Sequence, residues 1–398
     1  MKPRLFVAGW RHSALVGVCL AGFGLGALAQ TRVLINPGDQ GEQSRFAVFN
    51  AWKGVVERAL REAGASATNV QLSTNATADL QTTRSRTQDV YVAPAHVVGS
   101  AVRYGYTPLV GLDRPVQAVL VAQAGSGIGS LQQAKGKRLG LPEQDSVVTY
   151  LVRGEVNAAN TTFKRHFSSV FQTRYQDALL PCLQIRRCDV VAVEKTVYNR
   201  WLADGEKLAV VMETREGPGM SVALRDDSKL NVAMLRQALD QQLGAALAAG
   251  DGGQPVLHKA EDFKYVATLG YFTPRSLPGA QVIDAAAVAQ LLLRGARYID
   301  TRTEAEFKAG HVPGATLVPY VEKSPKDADY DRQLDRFDVV ALGSDKSAEL
   351  IFACNGAECW KSYKASRAAL AAGYTRVHWF RGGFPEWRAA GQKVATGG

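Results

Sequence analysis

Cys354 and Cys359 stand five residues apart in the setting that best suits sulfur chemistry. Cys354 closes an apolar run, Glu349-Leu350-Ile351-Phe352-Ala353, and the loop Asn355, Gly356, Ala357, Glu358, Cys359, Trp360 and Lys361 follows. A helical pattern then covers 362–372. A cysteine at a strand's C-terminal end, just before a helix, faces backbone N–H groups and the positive end of a helix dipole. Both favour the thiolate, which is the nucleophile. The same cradle suits an anionic sulfur donor and a terminal persulfide. Lys361 adds a cation at the end of the loop. An inert buried cysteine is the alternative; the strand-loop-helix setting and Gly356 argue against it.

Three roles are open to Cys359. Four intervening residues in a curved loop allow it to resolve a persulfide on Cys354 with release of sulfide, or to protect Cys354 as a disulfide. The third role is packing at the helix start. Phosphatase chemistry is not expected: an arginine six residues after the cysteine would grip a phosphoryl group bidentately, and that position is Trp360. Cys182 and Cys188 bracket a turn over 181–189 with no catalytic company, so they read as a structural disulfide or as two buried thiols.

The elements that must position these residues come in alternating blocks. Strands are expected over 32–35, 89–93, 116–122, 138–141, 189–193 and 208–212. Helices are expected over 47–63, 96–104, from 131, from Ser146 and over 230–247. Such alternation implies parallel sheets covered by helices. A second block starts near Ser276, and Gly252-Gly253, Pro255, Pro274 and Pro278 punctuate the join. The organisation expected is a leader over 1–29, one domain over 30–269, a linker over 270–279 and a second domain over 280–398. Gly125-Ser126-Gly127-Ile128-Gly129 reads as a turn, because no P-loop lysine follows it. No His, Cys and carboxylate cluster has metal-ligand spacing, and no cofactor is expected.

Lys2, Arg4 and Arg11 precede an uncharged apolar run over 14–28 and the small-residue pattern Ala27-Leu28-Ala29. This is the layout of a cleaved export signal, and the run is shorter than the ~20 residues a membrane span needs. Val18 before Cys19 disfavours a lipoprotein. A periplasmic protein with no stable membrane insertion after cleavage is expected. Loss of the three cations lowers the net charge from +10 to +7. That spread excess suits small anions rather than nucleic acid.

Residues 280–393 resemble the rhodanese family. Asp300-Thr301-Arg302, Glu306-Phe307, Gly310-His311-Val312-Pro313-Gly314-Ala315, Cys354, Gly373-Tyr374, Arg381-Gly382-Gly383-Phe384 and Trp387 carry the resemblance in order. A helix over 282–293 and a strand over 296–300 would open the domain, an α/β fold on a central parallel sheet. The resemblance implies a thiosulfate sulfurtransferase-like activity. Cys354 would accept sulfane sulfur and pass it to cyanide or a thiol. Asp300 and Arg302 would support the loop, and His311 would brace a turn. Arg381 would lie on a loop near the site or on the surface. Cys359-Trp360 with Ser362-Tyr363 resembles exported rhodanese-like proteins associated with quinone-cofactor (PQQ) dependent catabolism.

Residues 31–269 resemble phosphate/phosphonate-type periplasmic binding proteins. The segments are 89–96, 131–141 leading into Ser146, and 188–194 with Val197-Tyr198. The resemblance implies a two-lobed, type II α/β domain with a small anionic or organosulfur ligand in its cleft. Ser146 and Thr149 of one lobe and His96 of the other are the expected ligand residues, since a helix N-terminus offers free N–H groups to an anion. Glu194 would hold a cationic group of the ligand.

Overall fold

The computed structural model describes residues 30–248 and 254–397. The expected export signal over 1–29, with Cys19, and the punctuating Gly252-Gly253 lie outside the described residues. Among those described, no helix is long and apolar enough to cross a membrane.

The chain lays down β1 (Thr31–Ile35), β2 (Thr68–Leu72), β3 (Val90–Ala93) and β4 (Tyr106–Leu112), then crosses to a second sheet. There it forms β5 (Ala118–Gln123), β6 (Arg138–Pro142), β7 (Ser169–Thr173), β8 (Val190–Glu194) and β9 (Leu208–Glu213) before returning as β10 (Ser221–Arg225) and β11 (Pro255–Leu257). The strand orders are β11-β4-β10-β3-β1-β2 and β7-β6-β8-β5-β9. Outbound and return segments touch where Val116 and Gly217 exchange backbone hydrogen bonds of 2.9 Å. The two lobes are joined at that crossing.

The crossing corrects the expectation of parallel sheets. β1 pairs in parallel with β2 and β3, but β10 runs antiparallel to β3 and β4. Likewise β5 runs antiparallel to β8 and β9. A segment arriving from the other lobe enters its sheet from the opposite end, and strand-helix alternation carries no mark of that. Other local expectations also change. Residues 131–135 form turns rather than the start of a helix. The first helix runs Glu42–Glu62, starting before 47; its first turns lie outside the core and show little apolar periodicity, so the sequence pattern does not mark them. Trp52, Val55, Val56, Ala59 and Leu60 pack it onto Val33 and Ile35.

The third sheet is parallel throughout, in the order β12 (Ala280–Ile283), β16 (Arg376–Phe380), β15 (Glu349–Ala353), β13 (Arg297–Asp300), β14 (Thr316–Leu317). The expected helix over 282–293 is corrected to a strand through Ile283 and a helix Ala285–Leu293. Asp284 makes the switch by accepting from Ala287 N at 2.8 Å. Alternate residues divide between the two faces: Tyr298, Ile351, Ala353 and Phe380 on one, Ile299, Leu350, Phe352 and Val377 on the other. The helix after the loop is Trp360–Ala371. It takes Trp360 and Lys361 out of the expected loop, which shortens to the stretch from Cys354 to Cys359.

Candidate functional site

Cys354 leaves the C-terminal end of β15, the centre of the parallel sheet, where Ala353 lies between Asp300 and Phe380. Two bonds from Thr301, its N at 3.0 Å and its Oγ1 at 2.8 Å, fix the Ala353 carbonyl. Phe384 N donates to Cys354 O at 2.9 Å. That approach requires Gly383: its φ is +58°, and a Cβ there would collide with the Cys354 carbonyl. The loop then turns tightly, with Gly356 at φ +84° and Cys359 N bonded to Gly356 O at 3.0 Å. Among the described residues, no acceptor takes the amides of Asn355, Gly356, Ala357 or Glu358. Four loop amides without an acceptor and the start of the helix Trp360–Ala371 thus follow directly on the cysteine, a sequence of backbone suited to negative charge.

Cys354 and Cys359 are joined as a disulfide, with their Cα atoms 6.1 Å apart. Cys354 is 2% exposed. Tyr104 of the two-lobed part and the segment that joins the two domains cover the loop. Tyr104 Oη donates to Glu358 Oε2 at 3.3 Å, and a Cβ on Gly356 would come within 2.9 Å of that hydroxyl. Thr273 N and Oγ1 both donate to Ala357 O at 2.8 Å, and Trp360 Nε1 donates to Tyr271 O at 2.7 Å. In this state the loop is covered and the two sulfurs are bonded to each other.

Asp300 and Arg302 lie beneath the loop as a buried pair. Arg302 Nη2 is 2.6 Å from Asp300 Oδ2 and also donates to Gly310 O at 2.8 Å. His311 is held by Phe307 O at 2.8 Å and stacks on the Phe307 ring. Arg381 donates to the carbonyls of Thr273 and Pro274 at 2.9 Å each, pinning the inter-domain segment. Burial draws the half-buried Lys361 ammonium below its ordinary value, against the pull of Glu306. Glu306 was not anticipated. It accepts from Asn355 of the loop, from Thr303, and from Gln81 of the first lobe at 2.5 Å.

The second site is the cleft between lobes, where three helix N-termini meet. The helices are Ala76–Ser85, capped by Asn75; Ala95–Arg103, entered through Pro94; and Val147–Ala158, capped by Ser146. Asn75, Pro94, His96 and Ser146 line the cavity together with Asp39, Arg45, Glu143, Asp145 and Arg174. The expected His96 and Ser146 are thus brought together. Thr149 is not at the cavity; it braces from below, donating to Pro142 O at 3.2 Å. Glu194 stands behind the wall, accepting from Gln40 at 2.7 Å and from Gln176 at 3.0 Å; Gln176 in turn holds Asp39. Asp39, Arg45, Asn75, Glu143, Asp145 and Arg174 went unread in the sequence. Only Asn75 had a usable signal, as an N-cap residue before a helix.

Burial raises the Asp39 and Glu143 carboxyls above the ordinary carboxylate range. Burial alone would raise Asp145 too, but the Lys326 ammonium overrides it and holds that carboxyl low. Burial lowers His96 to about 4, so its ring is neutral near pH 7. Its Nε2 lies 2.7 Å from Asp145 O, which can only accept, so Nε2 carries the hydrogen and Nδ1 is the bare nitrogen. Among the described residues, Nδ1 has no partner.

Cys182 and Cys188 are also joined, their Cα atoms 5.2 Å apart, in an apolar cluster with Leu179, Val191 and Val193.

Comparison with known proteins separates the two halves. The family described as the periplasmic substrate-binding protein of phosphonate ABC transporters matches residues 45–268, more than half of the chain. The chain belongs to this phosphonate-binding family. PhnD1 from Prochlorococcus marinus (MIT 9301), solved with methylphosphonate, shares the fold at a TM-score of 0.50 with 13% identity; 60% of this chain covers 96% of that one. The rhodanese-like domain matches residues 284–390. Thiosulfate sulfurtransferase 16, chloroplastic, of Arabidopsis thaliana is 35% identical over 101 residues, 25% of this chain and 81% of that protein. Protein HIGH ARSENIC CONTENT 1, mitochondrial, of the same plant is 32% identical over 120 residues, 30% and 68% of the two chains. This phosphonate-family protein therefore carries a rhodanese-like domain behind its two lobes.

Proposed function

We propose that this protein is an exported sulfurtransferase that works through a Cys354 persulfide, fused to a periplasmic receptor for a small anion. The boundaries read from sequence, 30–269 and 280–398 with a linker over 270–279, go with this reading. The observation that carries it is the run of four loop amides without an acceptor, followed by a helix start, directly after Cys354. They favour the thiolate, bind a dianionic donor and hold the persulfide.

With thiosulfate, the Cys354 thiolate attacks the outer sulfane sulfur. An S–S bond forms to the enzyme, the sulfur–sulfur bond of the donor breaks, and sulfite leaves with the electron pair. Cyanide then attacks the outer persulfide sulfur; thiocyanate leaves and the Cys354 thiolate returns. Entry to the cycle from the disulfide requires reduction by a thiol. The test is thiocyanate formation by the full chain after mild reduction and removal of the reductant. Turnover is expected from the unaltered chain, with a loss of about 10³-fold or more in Cys354→Ser. Equal rates would end the reading.

The Cys354–Cys359 disulfide also favours a second reading, a thiol oxidoreductase. Cys359 thiolate would attack Cys354 Sγ of the persulfide. A protein disulfide forms, and the outer sulfur leaves as hydrosulfide after taking up a proton. A thiol reductant then restores both cysteines. Intact mass separates the two: under this reading the persulfide, +32 Da, accumulates in Cys359→Ser but not in the unaltered chain.

A further inference from the structure

Asp145 lies in the wall of the lobe cleft, yet its carboxylate is held by a side chain from the rhodanese domain. Lys326 Nζ is 2.9 Å from Oδ1 and 2.7 Å from Oδ2, and the two side chains are only 7% and 2% exposed. Thr77 of the first lobe donates to the same carboxylate, and the Asp145 carbonyl takes the His96 ring hydrogen. Lys326 is positioned from its own side as well. The residues just before it, Ser324 and Pro325, hold Lys364 Nζ through Ser324 Oγ at 2.8 Å and Pro325 O at 3.1 Å. Lys364 belongs to the helix that starts at the Cys354 loop.

Charge at the cleft turns on this contact. Three carboxyl groups, Asp39, Glu143 and Asp145, face two guanidinium groups, Arg45 and Arg174. In a partly buried site, like charges a few ångströms apart repel far more than in water. A wall with an uncompensated Asp145 opposes an anion in spite of the helix N-termini. We propose that Lys326 is a specificity-determining residue of the cleft, lent by the rhodanese domain: it neutralises Asp145, lets the cleft accept an anion, and ties anion affinity to docking of that domain. The inference rests on the reading of the cleft as an anion receptor. By linkage, an anion in the cleft favours the docked arrangement in which the Cys354 loop is covered.

The experiment is titration calorimetry on the full chain at fixed ionic strength. The probes are inorganic phosphate, sulfate, thiosulfate and methylphosphonate. For the tightest of these, Lys326→Gln is expected to weaken binding at least tenfold and Lys326→Arg less than threefold. The double variant Asp145→Asn/Lys326→Gln is expected to return to within threefold of the unaltered chain. Unchanged binding in Lys326→Gln overturns the role of Lys326 alone. Failure of the unaltered chain to bind any of the four anions removes the receptor reading, and this inference with it. If Lys326→Gln does not fold, Asp145→Asn is compared with the double variant. The proposal expects the former, which keeps the cation, to bind at least tenfold tighter; equal affinities overturn it.

Discussion

At the lobe cleft, three helix N-termini face a cavity whose wall carries charges of both signs. At Cys354, four loop amides without an acceptor and one helix start follow a sulfur that the rest of the chain covers. Both places use the same local device, a strand running into a helix with backbone hydrogens to spare. They differ in what surrounds it. The cleft is tuned by side chains of both lobes and by Lys326, whereas the loop is tuned by its own second sulfur and by Tyr104, Thr273 and Tyr271. Local geometry makes an anion cradle; long-range packing decides whether it is open and which charge it prefers.

That comparison can be broken most forcefully beneath the loop. Arg302→Met leaves Asp300 as a buried, unpaired carboxylate, and such a loss costs about 3–5 kcal/mol. Urea unfolding followed by tryptophan fluorescence should show the rhodanese domain weakened, with anion affinity at the cleft kept while that domain stays folded and lost over the urea range in which it unfolds, because Lys326 leaves Asp145. Anion binding that outlasts the rhodanese domain would mean the cleft does not depend on Lys326. Gly383→Ala comes next. Its positive φ and the collision with the Cys354 carbonyl should cost about 1–3 kcal/mol and distort the amide cradle. A fall in sulfur transfer with no change in cleft affinity is the result that fits.

The cleft has its own pH signature. His96 titrates at about 4 in the fold against about 6.5 in an unfolded chain. Above pH 6.5 both states are neutral and no stability depends on it. As pH falls, the unfolded state takes up the proton first, and stability is lost progressively down to about pH 4. By pH 5.5 the loss is about 1.4 kcal/mol. His96→Gln should flatten that part of the pH–stability curve, and an unchanged slope would count against the neutral ring. The smallest effect concerns access. In the reduced protein, Tyr104→Ala should speed alkylation of Cys354 by about three- to tenfold by loosening the cover over the loop. No change would mean that Tyr104 does not gate the sulfur.

Much of the loop was legible because its signals are local. An apolar run, a cysteine, a glycine and a helix fall within about twenty consecutive residues. The same holds for Ser146, an N-cap directly after a strand. Thr149 and Glu194 were harder to read, since a polar residue near a helix start looks the same whether it faces a ligand or a neighbouring carbonyl. Asp39 and Arg174 reach the cleft from segments more than a hundred residues apart, and no spacing in the chain connects them.

By itself the sequence determined the alternation of strands and helices in two blocks, the strand that delivers Cys354 and the turn at Gly356. These follow from side-chain periodicity, backbone sterics and neighbours within a few residues. Only the tertiary structure decided that β5 and β10 run antiparallel, that Lys326 reaches Asp145 and that Tyr104 and the segment joining the two domains cover the loop. Those outcomes depend on how distant surfaces pack and which charges are desolvated together, and a linear pattern does not encode such distances.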